Sequence, residues 1–124
     1  MPTATLVLAG LAGLLHLYFF VLESVVFRTR GHRVFGLPKA DVDTVAFGML
    51  NQGFYNLFLA IGTAVGVVGV ARDWEPQGTT LVVFGTLFMV GAALVLVIAR
   101  PRMARAAAIQ GVPPLLALAT WLIW

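Results

Sequence analysis

The chain has 124 residues, of which 60% are hydrophobic and 10% are charged, with a net charge of +3 and no cysteine. Soluble domains are roughly 45–50% apolar and about 25% charged, so this composition excludes an ordinary soluble domain. At about 20 apolar residues per crossing of a bilayer, this length allows about four spans and no separate catalytic domain outside the membrane. Without cysteine, disulfides, thiolate metal sites and iron–sulfur clusters are excluded.

Four long apolar segments predict four transmembrane helices in an all-α bundle. They occupy about residues 3–27, 42–71, 79–99 and 106–124, and the charged residues lie mainly between them. The first segment is too long for the apolar region of a signal peptide and contains His16, so we expect it to remain as the first span. Short connections predict that consecutive spans are antiparallel neighbours.

The basic residues predict which side of the membrane each connection occupies. The first connection contains four of the eight Lys and Arg residues, the second contains one and the third contains three. Cytoplasmic loops are enriched in Lys and Arg, so both termini are predicted to be outside. Trp74, Trp121 and Trp124 fall on that outer side, where indole rings favour the headgroup layer.

Polar side chains inside the predicted spans are few and are concentrated in the first two spans. A charged group at the middle of a span costs roughly 2.5–3.5 kcal/mol on insertion scales, so the polar residues that remain there need partners and often have functions. The candidates for ligand binding or proton handling are eight side chains: His16, Tyr18, Glu23, Asn51, Gln52, Tyr55, Asn56 and Gln110.

The spacing of these residues predicts two polar layers. Seven residues return a helix to within about 20° of the same face, so His16 and Glu23 share one face of the first span. Counting inward from the expected helix ends, we predict that Glu23 meets Asn51 or Gln52. The same count predicts that His16 meets Asn56, two turns deeper in the membrane.

The fourth span adds a polar group near the predicted level of Glu23. Gln110 is expected at that depth, and Pro113 and Pro114 cannot donate hydrogen bonds to the carbonyl groups one turn earlier. Freed carbonyl groups are tolerated in a membrane where they line a cavity. The three spans together predict a polar pocket that opens towards the cytoplasm.

Each polar group also has a simpler structural explanation, which the sequence leaves open. Glu23 is close enough to the interface to pair with Arg28 or Arg30. His16 could be a neutral residue that bridges two helices. Tyr55 and the amides could form ordinary interhelical hydrogen bonds, each worth about 0.6–2 kcal/mol.

Small residues predict where the first two spans approach each other. Gly10 and Gly13 in the first span correspond in depth to Gly62 and Gly66 in the second. Glycine at a helix interface allows the two backbones to come close together. Ordinary packing within one subunit is the simpler explanation of this pattern.

Four sequence motifs resemble those of a known family. They are HLYFFVLESVVF at 16–27, VFGL at 34–37, NQGFYNLFLAIG at 51–62 and IQGVPPLLAL at 109–118. Together they resemble the domain of unknown function 1304 family of small bacterial membrane proteins, over essentially the whole chain. The resemblance implies a multi-pass, four-helix protein of the cell (inner) membrane, and it implies no activity.

Two classes of function fit these residues, and a third, a purely structural partner subunit, has no sequence feature for or against it. The first is the binding or transport of a small molecule or ion, with Glu23 as a protonatable group and His16 as a second proton site. The second is a membrane enzyme of the isomerase or hydrolase type acting on a lipid-soluble substrate. In that enzyme Glu23 or His16 would move protons, and Asn51, Gln52 and Tyr55 would position an oxygen atom.

No resident cofactor or metal is predicted. The predicted spans contain no lysine for a Schiff base and only one histidine, so a haem with two histidine ligands would need a dimer. His16 and Glu23 lie about 10.5 Å apart along the helix axis, too far to share a metal ion. The expected partners are membrane lipid and a small molecule or ion, with no nucleic acid. A homo-oligomer is also expected, because four short helices enclose little volume.

Overall fold

The computed structural model describes residues 1–124 and contains helices and turns with no strand. This confirms the all-α class. The four long helices are α1 (Thr3–Phe20), α2 (Val42–Ala71), α3 (Glu75–Ala99) and α4 (Ala104–Ile123). The candidate membrane spans, which include adjoining helical turns, are Thr3–Val25, Lys39–Ala71, Glu75–Ala99 and Pro101–Ile123. All four are long and apolar enough to cross a membrane.

The start of α3 differs from the sequence prediction. The helix begins at Glu75, whereas the predicted segment begins at residue 79. Pro76 occupies the first turn, where a proline is tolerated because its missing N–H would have no intrahelical partner. The charged and polar residues of that first turn therefore belong to the helix although they do not belong to the apolar run.

The end of the first span also differs, because the helix continues beyond α1 with wider turns. Two π-helical segments follow, Val21–Val25 and Phe27–Gly31, and then a single α-helical turn, His32–Val34. The N–H of Val26 donates to the carbonyl of Val21 at 2.9 Å, five residues earlier, which is the π-helical pattern. Single π-helical turns are frequent at functional sites, and Glu23 lies in the first of these segments.

The four helices form a ring in chain order. α1 packs against α2 and α4, and α3 also packs against α2 and α4, whereas α1 and α3 lie diagonally and touch little. At one end, the amino group of Met1 donates to Oε1 of Glu75 at 2.9 Å, which ties the N-terminus to the start of α3. The basic first and third connections lie at the other end of the bundle.

The interior contains small and polar side chains, and the large apolar side chains point outward. Ala9, Val82 and Ala117 form a buried apolar cluster, and Met89 is the largest fully buried side chain. Phe47 is 81% exposed, and many other large apolar residues are more than 40% exposed. Such an arrangement suits lipid, where packing of small residues brings helices together and apolar side chains face the acyl chains.

The glycine residues pack differently from the sequence prediction. Gly13 on α1 faces α2, but Gly10 and Gly62 face open space. Gly66 contacts α3 instead, because a Cβ atom added there would lie 2.9 Å from the carbonyl oxygen of Gly78. The predicted approach of α1 and α2 is therefore found at Gly13, and Gly66 serves the contact between α2 and α3.

Candidate functional site

Glu23 is buried between α1 and α2 and is held by an amide. The residue is 8% exposed, and its Oε2 accepts a hydrogen bond of 2.6 Å from Nδ2 of Asn56. Asn56 is itself 6% exposed. The other acidic residues, Asp41, Asp43, Asp73 and Glu75, are exposed, so Glu23 is the one carboxyl group in the interior.

A close approach of the two helices produces this contact. A Cβ atom on Gly53 of α2 would overlap the side chain of Ser24 and would lie 3.1 Å from the Cβ of Glu23. The hydroxyl of Ser24 donates to the carbonyl oxygen of Leu50 at 3.0 Å, which joins the two helices at the same level. Because Gly53 has no side chain, the segment that carries Glu23 comes close enough for Asn56 to reach it.

The prediction that Glu23 lies against the second span is confirmed, but the predicted partners are wrong. Asn51, Gln52 and Tyr55 are exposed on the outside of α2, and Asn56 takes their place. The first helix continues beyond the end that the sequence predicts, so Glu23 lies deeper in the bundle. The amide at its level is therefore about one turn further along α2.

His16 lies inside the bundle, but it does not pair with Asn56. Its Nδ1 is 2.9 Å from the carbonyl oxygen of Ala12, and its Nε2 is buried with no hydrogen-bond partner. Because a carbonyl oxygen only accepts, Nδ1 carries the proton and Nε2 is left as an acceptor. The ring packs edge-on against Phe19, with the ring centroids 5.6 Å apart.

Thr63 is a buried polar residue that the sequence reasoning did not select. It is fully buried, and its hydroxyl has no hydrogen-bond partner. Thr63 follows Asn56 by seven residues, just as Glu23 follows His16 by seven, and α1 and α2 are antiparallel. Thr63 lies against Gly13 of α1, because a Cβ atom added to Gly13 would be 3.9 Å from the Cβ of Thr63, and it is therefore about one turn further from the buried pair than His16. The spacing from Asn56 was the signal in the sequence that could have found it.

A pocket of about 320 Å³ reaches Glu23 from the end of the bundle that carries the basic first connection. We call it the loop-side pocket; its lining includes Glu23, Arg28, Asp43 and Ala46. Arg28 forms an ion pair with Asp43, and both side chains are largely exposed. Arg28 is therefore engaged elsewhere, and neither it nor Arg30 forms an ion pair with Glu23.

A second cavity, of about 450 Å³, lies between α2 and α3 on the outer surface of the bundle. We call it the α2–α3 groove. Its lining is mostly apolar and includes Phe58 and Phe84, and its polar members are Gln52, Tyr55, Asn56 and Thr63. The hydrogen bond between Asn56 and Glu23 therefore joins a residue of this groove to a residue of the loop-side pocket.

Two other predicted residues lie apart from the buried pair. Tyr18 is 53% exposed on the outer surface of α1. The hydroxyl groups of Thr5 and Thr120 are 2.9 Å apart, and this contact sets the antiparallel alignment of α1 and α4. Counting along both helices from it places the half-buried Gln110 nearer the level of His16 than that of the pair, which corrects the predicted depth.

The family model described as "Protein of unknown function (DUF1304)" matches residues 10–122. The chain belongs to the DUF1304 family. The matched range includes Glu23, Asn56 and most of every long helix. No curated protein and no solved structure matches the chain. The family and the four apolar helices together establish a small membrane protein.

In this DUF1304 protein, the buried pair has a chemistry suited to proton exchange. An amide can donate to a carboxylate through its nitrogen, or accept from a carboxylic acid through its oxygen. Glu23 and Asn56 can thus keep one hydrogen bond in either protonation state of the carboxyl group. No group of three or more His, Cys, Asp or Glu side chains is placed to hold a metal ion.

Proposed function

We propose that this protein binds or transports a small molecule or ion through the loop-side pocket, with Glu23 as its protonatable group. The observation that carries the proposal is a buried carboxyl group, at a pocket wall, whose partner is an amide and not a cation. An arginine partner would fix the carboxylate in its charged form. With an amide partner, Glu23 can exchange a proton for a cation or release it to a bound molecule.

We propose that the protein lies in the inner membrane of a bacterial cell and that the pocket opens to the cytoplasm. The pocket opens at the end of the bundle that carries the basic first and third connections. The enrichment of Lys and Arg in cytoplasmic loops supports this orientation.

We also propose that the protein acts as a homo-oligomer when it transports. The loop-side pocket reaches Glu23, and further along the bundle the interior is filled by Ala9, Val82 and Ala117. A single copy therefore has no continuous path from one end to the other. A second copy would supply the remaining wall of such a path.

Infrared difference spectroscopy tests proton exchange at Glu23 without any knowledge of the ligand. In proteoliposomes, a change of pH is expected to alter the C=O band of a buried carboxylic acid in the wild type. The band should be missing in Glu23→Gln and present in Glu75→Gln, which removes an exposed carboxyl group at the opposite end. An unchanged spectrum in Glu23→Gln would overturn the proposed role.

The ligand class can be approached with proteoliposomes that contain a pH-sensitive dye. Imposed gradients of Na⁺ and K⁺ are expected to drive proton movement in the wild type if the ligand is one of these ions. Glu23→Gln should abolish the signal, because the swap keeps the volume and the hydrogen bonding but removes the proton. Equal proton movement in the wild type and Glu23→Gln would count against ion-coupled transport.

A membrane enzyme of the isomerase or hydrolase type is the second candidate, and the α2–α3 groove favours it. The groove is open to lipid and reaches Asn56, so a lipid-soluble substrate could approach the pair from the membrane. In that reaction Asn56 and Thr63 would position an oxygen atom of the substrate, and Glu23 would move a proton.

The same substitution placed in each cavity separates the two candidates. Ala46→Phe fills the loop-side pocket, Ala92→Phe fills the α2–α3 groove, and Ala108→Phe on the exposed face of α4 is the control. Access through the pocket predicts slower deuterium exchange at the Glu23 carboxyl group in Ala46→Phe alone. The enzyme predicts a lipid product, found by mass spectrometry of membranes, that Ala92→Phe and Glu23→Gln lose and Ala108→Phe keeps.

A further inference from the structure

A third cavity lies on the outer surface between α1 and α4, at the end of the bundle with the basic connections. Its volume is about 540 Å³, and we call it the α1–α4 crevice. Arg102 and Arg105 line it from the third connection and the start of α4, and Tyr18 and Leu22 line it from the first span. It shares no lining residue with the loop-side pocket or the α2–α3 groove.

The charge of the crevice is positive and uncompensated. The ion pairs of the structure join Met1 to Glu75 and Arg28 to Asp43, so Arg102 and Arg105 have no carboxylate partner. No acidic residue lines the crevice. Two guanidinium groups therefore lie beside an apolar wall at the membrane surface, with their hydrogen-bond donors free for an anion.

The polar and apolar groups of the crevice follow one another in order of depth. Arg105 lies at the membrane-surface end of α4, and Ile109 lies one turn deeper. On the antiparallel first span, Tyr18 lies one turn deeper than Leu22. Four residues of a helix correspond to about 6 Å. A ligand in the crevice therefore meets the arginines and Leu22 first, and then the phenol and Ile109.

The first connection forms the remaining wall. Gly36 has a φ of +68°, a left-handed conformation that favours glycine, and it ends the short turn that contains Val34. His32 lies 3.0 Å, through Nδ1, from the carbonyl oxygen of Leu37, which closes this turn. The wall contributes Val34 and the ring of Phe35 to the crevice, so apolar surface also flanks the arginines.

We propose that the α1–α4 crevice binds an anionic glycerophospholipid. The phosphate would accept hydrogen bonds from Arg102 and Arg105, and the hydroxyl of Tyr18 would donate to an ester carbonyl group. The acyl chains would continue beyond Tyr18 along Ile109, and Leu22 would flank the head group. This assignment follows from the order of groups in the lipid, which runs from phosphate through esters to hydrocarbon, and from the affinity of basic pockets between helices for lipid head groups.

The proposal is independent of proton exchange at Glu23. Neither Glu23 nor Asn56 lines the crevice, and the predicted event is binding without any reaction. It gives a role to Tyr18, which the structure places away from the buried pair. It also gives a lipid-binding role to the third connection, which has no part in the proposed function.

Native mass spectrometry of the full-length protein in detergent tests this proposal, with dioleoyl phosphatidylglycerol and dioleoyl phosphatidylcholine as probes. The wild type is expected to bind the anionic lipid on the order of tenfold more tightly, because both lipids present the phosphate but the two arginines repel the choline cation of phosphatidylcholine. The double variant R102Q/R105Q should lose this preference. The control R30Q/R33Q removes the same charge from exposed positions outside the crevice and should keep it.

Two results would overturn the proposal. One is equal affinity of the wild type for the two lipids, and the other is an equal loss of preference in R102Q/R105Q and R30Q/R33Q, which would indicate a general effect of charge. Tyr18→Phe is expected to weaken the binding of both lipids about two- to fivefold without changing the preference for the anionic one, because both lipids contain ester groups. A Tyr18→Phe protein with wild-type affinities would contradict the placement of the esters. Thermal stability, measured for each variant, verifies folding.

Discussion

Asn56 donates a hydrogen bond of 2.6 Å from Nδ2 to Oε2 of Glu23, across the interface between α1 and α2. Both residues are buried, at 6% and 8% exposure, and they belong to different helices. The contact therefore contributes both to the packing of the bundle and to the state of its one interior carboxyl group.

Asn56→Leu is expected to destabilise the protein by about 1–3 kcal/mol, because it leaves the buried carboxyl group of Glu23 without a partner. Glu23→Gln should lower the free energy of unfolding by less, since the side-chain oxygen of the glutamine can still accept a hydrogen bond from the amide of Asn56. Reversible unfolding in mixed micelles of mild detergent and sodium dodecyl sulfate measures both values. The double variant Glu23→Leu/Asn56→Leu is expected to be more stable than Asn56→Leu alone; a double variant no more stable than the single one would contradict this account.

Gly53→Ala should also destabilise the bundle, by about 1–3 kcal/mol, because the new methyl group has no space beside Ser24 and Glu23. Gly48→Ala, on the same helix, is the matched control, since nothing lies within 4 Å of its added Cβ atom. The control is expected to be neutral or slightly stabilising, as alanine favours helix more than glycine does. Equal unfolding free energies for the two variants would show that the close approach at Gly53 is absent.

Thr63→Val is expected to leave the stability unchanged or to raise it. The hydroxyl of Thr63 is buried with no partner, and valine has a similar shape without the polar atom. Thr86→Val is the comparison, because the hydroxyl of Thr86 donates to the carbonyl oxygen of Val82 at 2.7 Å and its loss should cost about 0.5–1.5 kcal/mol. If Thr63→Val proves as destabilising as Thr86→Val, then a bound molecule or water satisfies Thr63.

Labelling of single cysteines tests the prediction that both termini are outside. The chain has no cysteine, so Ala40→Cys in the first connection and Gln77→Cys in the first turn of α3 each introduce one exposed thiol. A membrane-impermeant maleimide added to intact spheroplasts is expected to label position 77 and to leave position 40 unlabelled. Labelling of position 40 under these conditions would reverse the predicted orientation.

The four spans and the family could be predicted from the sequence because they depend on local properties. Uncharged apolar runs of sufficient length indicate spans wherever they occur, and the positions of Lys and Arg divide them. The concentration of polar residues in the first two spans likewise predicts that Glu23 lies against the second one, as the structure shows. None of these inferences requires knowledge of which atoms touch.

The partner of Glu23 was decided by the tertiary structure. Gln52 and Asn56 differ by one helical turn, so they lie within about 40° of the same face and about 6 Å apart in depth. The sequence could place the amides on a common face, but it could not supply that depth, because the first helix continues through π-helical turns. The close approach at Gly53 then selected Asn56, since the distance between two helices depends on side chains from both.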